Sequence, residues 1–129
     1  MKLGEPASQE LFDRGAAHFD RGEWYAAHEV FEDLWRELDG VERLFVQALI
    51  QVAVALLHFS RGNNAGAWTL SRAALAKCAL LPARFGGVDI EMLVERFNES
   101  LKPLTAAVLA GTRDAAHPAL PLLVALPRD

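Results

Sequence analysis

The sequence predicts an all-α protein: a compact helical bundle of two related helix–turn–helix hairpins, a C-terminal helix and a proline-rich extended tail. A repeat carries the first part of that prediction. His18-Phe19-Asp20-Arg21-Gly22 returns forty positions later as His58-Phe59-Ser60-Arg61-Gly62, with Ala27 matched by Ala67. Each copy closes one apolar helical run and opens the next, which marks one supersecondary unit used twice. Periodicity carries the rest, because apolar residues recur at helical spacing and nothing alternates long enough to suggest a sheet.

The elements follow in order. Ser8 to Asp20 reads as a first helix, with Ser8 as its cap and Leu11, Phe12, Ala16 and Phe19 on one face. Arg21-Gly22 ends it, glycine being the residue that accepts the left-handed conformation after a helix. A second helix runs from about Glu23 to Leu38 and stops at Asp39-Gly40. At about 100° per residue, Trp24, Ala27, Phe31, Leu34, Trp35 and Leu38 share one arc of it. A third helix spans Val41 to Ser60 and is apolar on every side, as a buried central helix is. Gly62 ends it, and Asn63 or Asn64 caps a fourth helix that reaches Leu81 before Pro82.

Gly86-Gly87 reads as a loop, and Asp89 to Ser100 as a shorter helix capped by Asp89. Lys102-Pro103 is expected to break or kink the chain before a short run from Leu104 to Ala110. His117 to Asp129 holds Pro118, Pro121 and Pro127 among leucines, and is expected to lie extended across the bundle or against a second subunit. The whole chain, 1–129, is read as one domain with its core at about 8–100 and an extension at 101–129.

Composition narrows the function. Apolar residues make up 52% of the 129, enough for one core without metal or disulfide staples. The net charge of −4 and the lack of a Lys/Arg cluster disfavour a nucleic-acid binder. Cys78, the single cysteine, suits a reducing compartment and reads as a small core residue. No signal-peptide pattern opens the sequence. The apolar run from Leu44 to Phe59 is interrupted by Gln47, Gln51 and His58 and falls short of the roughly 20 residues of a membrane span. A cytoplasmic protein without a membrane partner is the expectation.

The candidate site lies among polar residues that point inward. His28 sits in the apolar arc of the second helix, and Glu32, four residues on, is its neighbour on that face. Gln47, Gln51 and His58 share a stripe on the third helix, so a polar cleft between helices two and three is expected to gather His28, Glu32, Trp35, Gln51 and His58. A buried amide or imidazole without a partner costs about 1–3 kcal/mol, so these groups bond each other, water or a guest. Three readings follow. One is a self-satisfied polar network that sets helix register. Another is a pocket for a small ligand or partner, walled by Trp24, Tyr25 and Trp35. The last is a divalent-metal site on His28, Glu32 and His58, with metal-dependent hydrolysis as its chemistry. His-Glu-Val-Phe-Glu lacks the second histidine of His-Glu-x-x-His, and no phosphate loop, nucleophile elbow or Cys-x-x-Cys pair is present. The reading is therefore of a non-enzymatic binding protein with no cofactor. Gly22, Gly62, Asn63 and Gly66 are turn residues, and His18 is expected to close a contact at the end of its repeat.

The run Gly22-Glu23-Trp24-Tyr25-Ala26-Ala27-His28-Glu29-Val30-Phe31-Glu32-Asp33-Leu34-Trp35, then Leu49-Ile50-Gln51, His58 and Gly62-Asn63-Asn64-Ala65-Gly66-Ala67, resembles family 309 of the domains of unknown function. The likeness covers roughly residues 12 to 81. It departs at Phe31, where that family more often has tryptophan. The resemblance implies a small all-helical fold and no particular activity, and it marks His28, Glu29, Glu32, Trp35, Gln51, His58, Asn63 and Gly66. A weaker likeness, to tetratricopeptide hairpins, suggests a peptide-binding adaptor. Its interval of forty residues and two copies fall outside the usual pattern of about 34 residues and three or more repeats. A homodimer is plausible from the leucine-rich tail.

Overall fold

The computed structural model describes residues 2–111. The chain forms α1 (Pro6–Asp20), α2 (Trp24–Arg36), α3 (Gly40–Ser60), α4 (Asn64–Cys78), β1 (Arg84–Phe85), β2 (Val88–Asp89) and α5 (Ile90–Leu109). It is an all-α bundle with one two-stranded ribbon. The expected extended tail, residues 117–129, lies outside the described residues.

The sequence repeat is a structural repeat. In the first hairpin the Glu23 amide donates to the His18 carbonyl at 2.9 Å and the Gly22 amide to Phe19 at 3.0 Å. In the second, Asn63 donates to His58 at 2.8 Å and Gly62 to Phe59 at 3.0 Å. These are the two bonds that close a helix around a left-handed residue. Gly22 and Gly62 supply it, with φ of 72° and 78°.

Aromatic rings tie the hairpins together. Phe12 of α1 lies 5.9 Å from Phe31 of α2 and 6.0 Å from Phe45 of α3, and Phe45 meets Phe85 of β1 at 5.3 Å. Phe19 packs edge-on to Trp24 at 5.3 Å. α3 packs against both α2 and α4, and α5 against α4.

Several boundaries differ from the sequence reading. Ser8 does not cap α1: Pro6 occupies the first turn, Glu5 is the cap residue, and buried Ser8 donates its hydroxyl to the Glu5 carbonyl at 2.9 Å. Proline starts a helix well because its missing N–H would be unsatisfied there anyway. Helix α4 stops at Cys78, before Leu81. The loop at Gly86-Gly87 is the turn of a hairpin that pairs Arg84 with Asp89 and Phe85 with Val88. Both glycines have positive φ, as a tight two-residue hairpin turn requires.

Pro103 does not end a helix. α5 runs through it from Ile90 to Leu109. The proline forfeits one backbone bond, while Leu101, Leu104 and Ala107 beyond residue 100 are buried and offset that loss. α3 is also not buried all round. Gln47, Ile50, Gln51, Val54, Leu57 and His58 form a half-buried stripe facing outward. By length and composition α3 could cross a membrane, yet it is the middle helix of the bundle, held between α2 and α4.

Candidate functional site

The polar residues of α2 stand beside the outward stripe of α3. On α2 the buried positions are Trp24, Ala27, Val30, Phe31 and Leu34, which leaves His28, Glu32 and Trp35 along one half-buried margin. Their spacing of four and then three residues puts them one above another. His28 Nε2 lies 3.0 Å from Glu32 Oε2, and His28 Nδ1 lies 3.4 Å from Glu29 Oε1. Arg36 holds the other Glu32 oxygen at 3.3 Å. The histidine thus bridges two carboxylates on its own helix, with its side chain 25% exposed.

Trp35 lies under Arg43 of α3, whose guanidinium carbon is 3.8 Å from the ring centroid. That contact fixes the register of α2 against α3. It also offers a cation–π attraction of about 0.5–1 kcal/mol at an exposed edge. Trp35 Nε1 and Gln51 Oε1 are buried and have no hydrogen-bond partner. One is a donor and the other an acceptor. With Trp35 at the level of Arg43, Gln51 stands eight residues further along α3, about 12 Å away, so the two groups mark separate points of the same face.

His58 does not join this group. It stands at the C-terminal end of α3, where Asn63 Nδ2 lies 3.2 Å from its Nδ1. Asn63 also caps α4, its Oδ1 accepting from the Gly66 amide at 3.0 Å. His18 plays the same part in the first hairpin, its Nδ1 2.9 Å from Glu23 Oε1. The expected aromatic walls also separate. Trp24 is buried against Phe19, while Tyr25 is 59% exposed with its ring 6.0 Å from His28.

The expected cleft is an open face. Shallow, half-open hollows among the described residues lie elsewhere, one of about 590 Å³ beside Asn63, Trp68 and Val108 and one of about 530 Å³ between Phe12, Glu42 and Gly87. His28, Glu29 and Glu32 bring three potential metal-ligand atoms within 4.8 Å of one another. Glu29 was not among the sequence candidates for a metal, since residues i and i+1 diverge on a helix. The long glutamate side chain closes that gap. Arg43 was missed too, because no local pattern announces a contact between helices.

Comparison with known proteins finds a family model and a distant relative. The family model described as "Domain of unknown function (DUF309)" matches residues 12–70. A protein of Aquifex aeolicus (strain VF5), described as "Uncharacterized protein", is 26% identical over 117 residues. The alignment takes in 90% of this chain and 32% of that relative, so the chain spans about a third of the relative's length. The stretch similar to that family, residues 12–70, runs from α1 into α4.

Proposed function

We propose that the chain is a non-enzymatic binding module whose recognition surface is the α2–α3 face around His28, Glu32, Trp35 and Gln51. One observation carries the reading: Trp35 Nε1 and Gln51 Oε1 are buried without partners. Such groups cost about 1–3 kcal/mol each when unpaired, so a ligand long enough to offer an acceptor to the indole and a donor to the amide recovers that energy. Beside them His28 and Glu32 supply charge, and the ring of Trp35 supplies apolar area. An open face of this kind suits a flat ligand or a segment of a partner.

A screen of small polar compounds by thermal stabilisation tests it. A compound at about 100 times its dissociation constant stabilises the folded chain by about 2.7 kcal/mol. The proposal expects His28→Ala and Gln51→Ala to abolish that gain while lowering the melting temperature of the free protein little. Variants that only destabilise, with no compound found, make the cluster a structural network.

A second reading rests on the His28–Glu29–Glu32 trio, whose atoms are of the types that hold zinc or manganese. Metal analysis of the purified protein before and after chelator decides it. Stoichiometric metal lost in His28→Ala supports it, and metal absent or indifferent to that change refutes it.

A further inference from the structure

Among the described residues α3 is the most apolar helix, and it is only partly covered. From Leu44 to Ser60, α3 carries no Asp, Glu, Lys or Arg. Yet only 44% of its most apolar 18-residue window is buried. Ile50, Val54 and Leu57 on its outer side are half-buried, and Leu70 on the adjoining edge of α4 is half-buried as well. An apolar stripe left partly open in this way has area that a partner can cover.

The charges on either side of this stripe are opposite. α2 contributes Glu29, Glu32 and Asp33 against a single Arg36, whereas the only charged residues of α4 are Arg72 and Lys77. Three-residue turns make α2 and α4 both antiparallel to α3, so Glu32 and Lys77 lie on opposite sides of its N-terminal half. We propose that this face binds a second copy of the chain, with α3 against α3 about a twofold axis parallel to the helix. That operation, and not the twofold perpendicular to it in the same plane, sets each acidic α2 over the partner's basic α4. It brings Glu32 of one copy toward Lys77 of the other, twice. A twofold interface must be self-complementary, and a stripe with an acidic and a basic margin is. The proposal rests on the α2–α3 face being a recognition surface but needs no ligand; a ligand held there would lie between the copies.

Sedimentation of the full chain tests it. The expected mass is twice 14.1 kDa. Val54→Asp is expected to give a monomer with unchanged helical circular dichroism. Glu32→Lys and Lys77→Glu are each expected to weaken dimerisation about tenfold, equivalent to roughly 1.4 kcal/mol. Combined in one chain they restore it, because every contact is remade with its signs exchanged. A monomeric native chain, including one that binds lipid vesicles or another protein through this face, overturns the proposal. So does a dimer that survives Val54→Asp, or a double variant as weak as the single ones. Loss of compound binding with dimerisation intact would count against the ligand reading alone.

Discussion

Asn63 stands 3.2 Å from His58 across the α3–α4 turn, in the place where Glu23 meets His18 across the α1–α2 turn. Asn63 Oδ1 is taken by the Gly66 amide, so its Nδ2 faces the histidine and His58 Nδ1 acts as acceptor. In the first hairpin the partner is a carboxylate, and the histidine must donate. The same turn is closed with the hydrogen bond reversed.

Asn63→Ala is therefore expected to cost about 1 kcal/mol for the lost cap, with more from the histidine contact. Asn63→Asp keeps the oxygen that caps α4 and loses less. Gly62→Ala forces φ of 78° on a residue with a Cβ and costs about 1–2 kcal/mol. Chemical denaturation of the three variants checks the order.

Gly15 of α1 sits against the ring of Phe31 of α2. A Cβ there would stand 2.5 Å from Phe31 Cε1. Gly15→Ala is expected to destabilise by about 1–3 kcal/mol through overpacking, despite alanine's better helix propensity. Adding Phe31→Leu opens room and recovers part of that loss. A double-mutant cycle on unfolding free energies measures the coupling.

Cys78 is buried at the end of α4, and burial pushes its thiol up to about 11 from an ordinary 9.0. The folded state therefore keeps the proton in a range where the unfolded chain has lost it. Stability from this group is complete below pH 9 and is lost as pH rises toward 11 and beyond. Cys78→Ala is expected to remove that slope, and melting curves across the range show whether it does. In the native protein the thiol is expected to react with alkylating reagents far more slowly than an exposed cysteine does.

The hairpins were legible because glycine stops and 3.6-residue periodicity are local signals. The aspartate cap at Asp89 was legible for the same reason, as was an asparagine cap at 63 or 64, of which the structure uses Asn63. Pro103 was misread because its local cost is visible in sequence while the burial of Leu101 and Leu104 is not. The ribbon at 84–89 was too short to alternate. For the site, the pairing of His28 with Glu32 follows from helical spacing alone. Placing His58 with them does not, because seven residues along α3 carry it from Gln51 to the turn, about 10 Å away. The contact of Arg43 with Trp35 depends on how two helices meet, and no single segment encodes it.

The central claim, that the α2–α3 face recognises a guest, is tested most directly at the indole of Trp35. The chain has three tryptophans, and Trp35→Phe assigns the Nε1–H resonance that belongs to this site. Titration with a stabilising compound is expected to move that resonance and the Gln51 side-chain amide, leaving those of Trp24 and Trp68 in place. A compound that stabilises the protein while the Trp35 signal stays fixed would contradict the account.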